Sequence, residues 1–425
     1  MRIPTRLPTR LTAPRAERAR PLPRRIVAGL ATTALLTLAV TGAVPAISTT
    51  GTTSTGAAHA ASCTPTWDLA STPEGEGHVL QVTALSKRKV IFGAYDSGLS
   101  PWMLDWNGRR IQEGVQLPKA PNATLQFGRS SFASEKEGWM LVMFGIGGYW
   151  NTVARWHDGR WAYVPTPVSP DPRHVGLLLN DVVSLADDDA WAVGISYRAE
   201  KDVVAGAVSL GSLIEHWDGT AWRIVDNPAA DRPGARLGAL TAVADDDIWA
   251  VGTHPDDSGT TVPLIQHYDG ESWTEVPAPS GNGPSALYGV SALGPNDVWA
   301  VGAQTKEGTD NVAVPFVLRW NGTEWTEVGG LPDVGNARLN GVYAAASDSV
   351  WAVGQFGEND PAVFLHWDGR AWSSVTPPVS KEPGLRFNWT DVDGTGPHDV
   401  WATGSVFRDD MPTTPQIAHL RCGRR

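Results

Sequence analysis

Apolar residues in this chain fall in short runs separated by turn residues, and no run has the spacing of an amphipathic helix. The clearest run reads Asp-x-Trp-Ala-Val-Gly. A run such as Leu287–Leu293 precedes each copy, a run ending in Trp-Asp-Gly follows it, and a run that opens with Trp comes last. Because the runs are apolar on both faces, the pattern predicts four strands in a sheet that packs between neighbouring sheets.

This four-strand unit recurs about every fifty residues. The tryptophans of its five clear copies, Trp191, Trp249, Trp299, Trp351 and Trp401, lie 58, 50, 52 and 50 residues apart. Degenerate copies begin at Trp139 and Val90. Four short strands per repeat, without helices between them, are typical of a propeller blade. The sequence therefore predicts an all-β fold, a seven-bladed β-propeller with four antiparallel strands per blade.

The last unit stops after three strands, so its outer strand must come from elsewhere in the chain. The segment Trp67–Pro73 matches Trp222–Pro228, the outer strand of another unit, position for position. We therefore expect the N-terminal strand to close the ring in a 3+1 arrangement. The predicted domain spans residues 61–425, with blades at about 78–118, 127–168, 178–228, 236–279, 286–332, 338–379 and 387–422 plus 63–73.

The only two cysteines, Cys63 and Cys422, meet at one hairpin tip in this alignment, and Leu420 takes the place of Trp217. In an oxidising compartment we expect them to form a disulfide that closes nearly the whole chain. On the loop-entropy description such a bond is worth roughly 4–5 kcal/mol.

Residues 1–60 carry eight arginines and a weakly apolar stretch, Ile26–Ile47, followed by a Ser/Thr/Gly spacer. This pattern predicts a signal peptide that is cleaved after Ala60, which makes the protein secreted. The pair Arg24 and Arg25 leaves twin-arginine export open beside the general route. Two alternatives remain: Ile26–Ile47 is long enough to stay as a membrane anchor, and Cys63 could carry a lipid.

Charge narrows the range of partners. Without residues 1–60 the chain holds 26 basic and 44 acidic residues, a formal charge of −18. Such a field repels polyanions, so we expect no nucleic-acid partner and no anionic membrane surface. The expected state is an extracellular monomer with no membrane insertion after cleavage.

The repeat, Asp-Val-Trp-Ala-Val-Gly followed by Trp-Asp-Gly-x-x-Trp, resembles that of secreted bacterial propellers over residues 63–423. The turn at Asp218, Asp269 and Asp368 is similar to the Asp-box of neuraminidase-like propellers, which implies a hairpin at these positions and nothing catalytic. Kelch and galactose-oxidase propellers share the period more distantly. A copper radical oxidase needs a cysteine crosslinked to tyrosine, and both cysteines are already assigned. The resemblance therefore implies a fold and leaves the activity open.

Two sets of residues could suggest metal sites. Asp187–Asp189 and Asp245–Asp247 resemble calcium loops, but they stand where other units have turn residues that bond their own backbone. His216, His267, His366 and His419 recur at one position of four different units, so we interpret them as separately packed side chains. We expect no metal and no cofactor.

Propeller ligands usually bind at the mouth formed by the loops that enter first strands and the loops between second and third strands. The candidate ligand-binding residues there are Arg236, Arg338, Arg386, Arg173, Tyr149, Trp150 and Tyr197, with Arg129 in a comparable segment. Converging arginines could bind a carboxylate or sulfate. In the alternative interpretation, each arginine pairs with a local acid such as Asp231 or Asp333.

No catalytic constellation is recognisable, so a non-enzymatic recognition or scaffold module for a glycan, a cell-wall component or an extracellular protein is the first hypothesis. A secreted glycoside hydrolase or polysaccharide lyase is the alternative, with Asp181, Asp391, Tyr149 and Tyr197 available at the mouth. Two of these carboxylates within roughly 5–10 Å of each other over an open groove would favour the enzyme. A wholly structural role in the cell envelope is a third hypothesis.

Overall fold

The short apolar runs form antiparallel strands, and the described residues contain no helix. A computed structural model describes residues 66–72, 77–96, 101–119, 124–145, 149–167, 176–198, 208–309, 312–356, 362–379, 385–408 and 411–421. All of them belong to one compact unit, Ala61–Arg425. Within these ranges no helix is long and apolar enough to cross a membrane. The export signal of residues 1–60 and the Cys63–Cys422 disulfide lie outside the described residues and stay predictions.

Five four-stranded sheets follow one another along the chain after the N-terminal strand β1 (Thr66–Leu69). Sheet 1 contains β2 (Gly77–Ser86), β3 (Lys89–Asp96), β4 (Pro101–Trp106) and β5 (Ile111–Glu113); sheet 2 contains β6 (Thr124–Phe132), β7 (Glu137–Gly145), β8 (Tyr149–His157) and β9 (Arg160–Val164). Sheet 3 contains β10 (Gly176–Ser184), β11 (Ala190–Arg198), β12 (Val208–Trp217) and β13 (Trp222–Ile224). Sheet 4 contains β14 (Arg236–Ala244), β15 (Asp247–Pro255), β16 (Thr261–Tyr268) and β17 (Trp273–Glu275); sheet 5 contains β18 (Ser285–Gly294), β19 (Asp297–Thr305), β20 (Ala313–Trp320) and β21 (Trp325–Glu327).

The remaining described strands form one eight-stranded sheet. Half-sheet I contains β22 (Ala337–Ala346), β23 (Ser349–Phe356), β24 (Val363–Trp367) and β25 (Trp372–Ser374). Half-sheet II contains β26 (Arg386–Gly396), β27 (Asp399–Arg408) and β28 (Met411–Arg421), followed by β1 at its edge. A single residue pair, Gln355 with Asn388, joins the two halves.

The first strands of successive sheets contact one another in the order β2, β6, β10, β14, β18, β22 and β26, and β26 contacts β2 again. Sheets that radiate from a closed cycle of first strands make an all-β propeller. Loops between second and third strands, and loops that lead into first strands, lie at one end, here named the loop end. Tight turns between first and second and between third and fourth strands lie at the other, here named the hairpin end.

Buried tryptophans fill the layers between the sheets, as the repeat predicts. Trp191 of β11 packs in one cluster with Ile214 of its own sheet and with Leu237, Leu264 and Trp273 of sheet 4. Trp249, Trp299 and Trp401 are also buried. Because each ring removes roughly 150–250 Å² from water, the tryptophans supply much of the burial that holds the sheets together.

The hairpin turns expected at Asp218, Asp269 and Asp368 are confirmed, and Asn321 forms the same turn. Asp218 Oδ1 accepts hydrogen bonds from the backbone N–H groups of Thr220 and Ala221, both at 2.9 Å. Gly219 has φ +86°, a conformation that a residue without Cβ adopts readily. Asp269, Asn321 and Asp368 make the same pair of bonds in their own turns.

The N-terminal strand β1 pairs with the C-terminal strand β28, which confirms the predicted closure. Trp67 lies opposite Leu420 in the register in which Trp222 lies opposite Trp217. The first and last described residues of this compact unit therefore share one half-sheet.

Candidate functional site

The first strands line a cavity of ≈ 240 Å³ on the axis of the ring. Each carries a β-bulge that inserts one or two residues opposite the middle of the second strand. Three bulge side chains bond the next sheet at one shared position. Asn180 donates to Leu237 O at 2.7 Å, Asn340 to Trp389 O at 2.8 Å, and Thr390 to Val79 O at 3.3 Å. The bulges therefore connect neighbouring first strands.

Arg129, in the bulge of β6, reaches across this cavity to other sheets. Its Nη1 donates to Asp391 Oδ1 at 2.7 Å, and its Nε lies 3.9 Å from Asp181 Oδ2. Its Nη2 donates to the Asn340 carbonyl at 3.4 Å. The two carboxylates are almost buried, whereas 27% of the Arg129 side chain is exposed. Arg129 is therefore committed to an internal ion-pair cluster, not to a ligand, which corrects its place among the candidate mouth arginines.

The backbone completes the coordination of both carboxylates. Asp181 Oδ1 accepts from Val182 N at 2.9 Å, and Oδ2 accepts from Leu240 N at 3.0 Å. Asp391 Oδ2 accepts from Val82 N at 3.1 Å. All four carboxylate oxygens thus have donors, and each aspartate bonds the first strand of the sheet that follows it in the ring. Their geometry is that of a cross-link between sheets.

Burial shifts two acids of the cavity, Asp181 and Asp393, toward neutrality. It raises the pKa of Asp181 to about 6, although Arg129 and the two backbone donors act in the opposite direction. It raises the pKa of Asp393 to about 7, although Asp393 Oδ2 accepts from Ala84 N at 2.8 Å. The charges of Asp391 and Asp181 outweigh burial at Arg129 and raise its pKa, so Arg129 stays a cation.

At the loop end the arginines have a different environment. Arg338, at the start of β22, is exposed, and its guanidinium carbon lies 5.9 Å from the ring centroid of Tyr288 in sheet 5. When the Gln355 amide is oriented so that its nitrogen faces Asn388 Oδ1, the Gln355 side-chain oxygen accepts a hydrogen bond from Arg338 Nε at 2.9 Å. Arg236, at the start of β14, is also exposed and donates from Nε to Thr253 Oγ1 at 3.1 Å.

Neither Arg236 nor Arg338 forms an ion pair within the ranges that the structure describes. Of the two acids in the alternative interpretation, Asp333 accepts from Gly335 N through Oδ1, and neither Asp333 nor Asp231 pairs with an arginine in the described part of the chain. Tyr288 lies on β18, the first strand between β14 and β22, and it is 37% exposed. Arg338 thus lies beside an exposed aromatic ring, and Arg236 lies at the start of the first strand on the other side of β18.

The other predicted site residues are dispersed. Arg386 stacks on Phe407, with its guanidinium carbon 5.0 Å from the ring centroid. Tyr197 is 6% exposed and packs over Gly176, so it supports the loop end from below its surface. Tyr149 and Trp150 open β8, but their side chains lie outside the described residues, as does all of Arg173.

The histidines that recur at one position lie in separate sheets, as predicted, and each stacks on the second-strand tryptophan. The ring-centroid distances are 4.1 Å for His216 on Trp191, 4.1 Å for His267 on Trp249, 4.2 Å for His366 on Trp351 and 3.6 Å for His419 on Trp401. Asp189, Asp247 and Asp399 pair with three of them, so the third acid of each Asp cluster bonds a histidine instead of its own backbone. Across the described residues, no group of three or more His, Cys, Asp or Glu is placed to hold a metal ion.

One buried acid stands apart from both sites. Glu215 of β12 is 0% exposed, and neither of its carboxylate oxygens has a hydrogen-bond partner in the described structure. Burial raises its pKa to about 8. At neutral pH this side chain is therefore mostly protonated.

Tyr288 and the Arg129 cluster did not emerge from the sequence as site elements. Tyr288 stands at a bulge position followed by Gly289, a signal that becomes visible only once the bulges are known. Arg129 and Asp391 are 262 residues apart in the chain, so no local spacing indicates their contact.

No family model and no curated protein matches this sequence. Solved structures show the fold. YCF48 bound to a D1 peptide has a TM-score of 0.52 and 12% identity over 84% of this chain and 97% of its own. Catalytically inactive virginiamycin B lyase from Staphylococcus aureus with quinupristin has a TM-score of 0.55 and 16% identity over 84% and 99%. YCF48 from Cyanidioschyzon merolae has a TM-score of 0.50 and 13% identity over 84% of this chain and 98% of its own. At these identities the likeness concerns the propeller fold alone.

Proposed function

We propose that the propeller has seven blades: sheets 1 to 5, half-sheet I and half-sheet II. Two observations support this count. Each half-sheet has the strand order of an ordinary sheet, with β1 as the fourth strand of half-sheet II, and only the pair Gln355–Asn388 joins them. The cycle of seven first strands fits the seven repeats of the sequence.

We propose that the protein is a secreted, non-enzymatic recognition module that binds an acidic glycan or an acidic segment of an extracellular protein at its loop end. The observation that carries this proposal is the pair of exposed arginines, Arg236 and Arg338, without a carboxylate partner in the described structure. A guanidinium matches a carboxylate or sulfate with two parallel hydrogen bonds. Tyr288, on the first strand between theirs, offers a face for a sugar ring or an apolar side chain.

The acidity of the chain strengthens this argument. Outside residues 1–60 the chain has a formal charge of −18, so acids are abundant. An arginine with only a structural role would be expected to pair with one of them. Both YCF48 with its D1 peptide and virginiamycin B lyase with quinupristin were solved with a bound molecule, which is compatible with a propeller that binds ligands.

A secreted carbohydrate-active enzyme is the second candidate, and one observation favours it. Asp181 and Asp391 converge on Arg129 in the axial cavity, and the pKa of Asp181 is raised to about 6 and that of Asp393 to about 7. Acids that titrate near neutrality suit general acid–base catalysis. Against it, every oxygen of Asp181 and Asp391 already has a donor, so neither carboxylate is free to move a proton without breaking a link between sheets.

The test is binding of the purified protein to an array of acidic and neutral polysaccharides and acidic peptides. We expect the best acidic ligand to lose about 10- to 100-fold in affinity in the Arg236→Ala/Arg338→Ala double variant, the loss of one or two charge-assisted bonds. The matched control is Arg109→Ala/Arg110→Ala, which removes the same charge from the hairpin end and should leave affinity unchanged.

If both double variants lose the same affinity, the loss comes from the change in overall charge, and a loop-end site is refuted. The same samples are assayed for new reducing ends and for unsaturated uronate absorbance. Turnover that survives Arg236→Ala/Arg338→Ala would establish the second candidate in place of the first.

A further inference from the structure

Five joints between successive sheets or half-sheets share one aromatic arrangement. In each of these five, the second-strand tryptophan of one sheet is covered by the ring that ends the third strand of the next. At the joint between sheets 1 and 2, Ile91 stands at the second-strand position and packs with Trp156. The ring-centroid distances are 4.9 Å for Trp139–Trp217, 4.7 Å for Trp191–Tyr268, 4.9 Å for Trp249–Trp320, 5.6 Å for Trp299–Trp367 and 5.1 Å for Trp401–Trp106. The fourth strand adds another tryptophan, such as Trp222 at 5.0 Å from Trp139.

The joint between half-sheet I and half-sheet II departs from this arrangement at a single residue. Trp351 keeps its stacked His366 at 4.2 Å and its fourth-strand ring, Trp67, at 5.2 Å. The ring that should end the third strand is missing, because Leu420 occupies its position opposite Trp67 and Val400. A groove of ≈ 700 Å³ opens there, lined by Trp351, Trp67, His366, Leu420 and Val375 among others.

The groove also retains the hydrogen-bond acceptor that the missing ring would use. In five sheets or half-sheets, the indole N–H of the third-strand tryptophan donates to a backbone carbonyl in the turn between the first and second strands. The accepting residue always lies four residues before the position that Trp191 occupies in sheet 3. The bonds are Trp106 to Lys87 at 3.2 Å, Trp156 to Glu135 at 2.9 Å, Trp217 to Asp187 at 3.2 Å, Trp320 to Pro295 at 3.0 Å and Trp367 to Ser347 at 3.2 Å. The equivalent residue in half-sheet II is Pro397, and it lines the groove.

The histidine in the wall of the groove is neutral, although Asp348 and His398 also line the groove. His366 faces Ser349 at 3.3 Å, where the other stacked histidines face an aspartate. Burial lowers the pKa of His366, so its imidazole is uncharged at neutral pH. The wall of Trp351 and His366 is therefore an apolar, aromatic surface.

The segments of this sequence that flank the groove contain no aromatic ring to fill it. Residues 1–65, 73–76, 380–384 and 422–425, which lie outside the described residues, have no Phe, Tyr or Trp.

We propose that this groove binds an aromatic side chain of a partner protein, with an indole as the best fit. The incoming ring would pack on Trp351 and Trp67 as Trp217 packs on Trp139 and Trp222, and its N–H would donate to the Pro397 carbonyl. The site lies at the hairpin end, so it is independent of the loop-end arginines and of the ligand proposed for them.

The test uses N-acetyltryptophanamide as the probe, with ligand-observed saturation-transfer NMR on the purified protein. We expect transfer to the indole protons and an affinity about fivefold above that of N-acetylleucinamide, the advantage of an aromatic pair over an aliphatic contact. The 1-methylindole analogue, which lacks the N–H, should bind about fivefold more weakly.

Three variants test whether the missing ring explains the site. Leu420→Trp supplies the ring and should abolish binding. Trp367→Leu removes the ring at the neighbouring joint and should create a second site, and Trp320→Leu should do the same one joint further away. Circular dichroism and thermal unfolding establish that each variant is folded. Binding that is absent in the wild type, or that persists unchanged in Leu420→Trp, would refute the site. If methyl glycosides, and not N-acetyltryptophanamide, bind in a way that Leu420→Trp abolishes, the groove is a sugar site and the aromatic assignment is wrong.

Discussion

Arginine occupies two contrasting environments in this ring, the axial cavity and the loop end. Arg129 lies between Asp181 and Asp391, whose other hydrogen bonds come from backbone donors, two in neighbouring sheets and one in the strand of Asp181 itself. Arg236 and Arg338 lie exposed without an acidic partner in the described structure. A buried charge requires a partner because desolvation is expensive, whereas an exposed charge requires none. This contrast is why we assign Arg129 to the fold and propose an external ligand for the two loop-end arginines.

The largest expected effect is at the axis. Arg129→Met leaves two nearly buried carboxylates without their cation, and we expect a loss of about 3–5 kcal/mol in the free energy of unfolding at pH 7, measured by urea denaturation. The loss should shrink below pH 6, where Asp181, with its pKa raised to about 6, takes up a proton.

The control is the triple variant Arg129→Met/Asp181→Asn/Asp391→Asn, which keeps acceptors for the backbone donors and removes the stranded charges. It should recover most of the lost stability. If Arg129→Met alone changes stability by less than about 0.5 kcal/mol, the cluster is not a structural cross-link and the contrast with the loop end disappears.

A smaller effect is expected at Glu215, which is buried like Asp181 but has no cation. Its pKa in the folded state is about 8, above the ordinary value of 4.5, so the folded protein holds a proton that the unfolded chain releases. Stability should therefore fall as pH rises from about 4.5 to 8 and level off above it. Glu215→Gln should be about as stable as the wild type at pH 5 and more stable by about 4 kcal/mol at pH 9.

Urea unfolding at both pH values measures this difference. Gln266 stands at the equivalent position of sheet 4 and is fully buried there, so a glutamine fits this site of the repeat. Parallel pH profiles for the wild type and Glu215→Gln would contradict an unpartnered carboxyl.

The smallest expected effect on stability is at the loop end itself. Arg236→Ala/Arg338→Ala should change the free energy of unfolding by no more than about 0.5 kcal/mol per site, because exposed side chains of this kind contribute little. A variant that loses ligand affinity but keeps its stability would distinguish the loop-end arginines from Arg129, whose removal should lower stability. A loss comparable to that of Arg129→Met would show that these arginines also hold the ring together.

Local features of the fold could be predicted from the sequence because their causes are local. The turn at Asp218 and Gly219 depends on neighbouring residues, and Trp67 could be assigned to the last unit because it copies Trp222. The Arg129–Asp391 contact could not be predicted, since the bulge that aims Arg129 depends on pairing between β6 and β7. The substitution of Leu420 for a tryptophan was visible in the repeat, but the groove also requires Trp351 from another sheet.

The pairing of β1 with β28 also sets the order in which the chain can assemble. The strand that the ribosome makes first among those described must wait for the strand it makes last, whereas sheets 1 to 5 can each form as they emerge. Until then half-sheet II presents β28 as an open edge, and open edges invite pairing with other chains. The ring is therefore completed only once β28 has been made, and the period before that is when this edge is most exposed to aggregation.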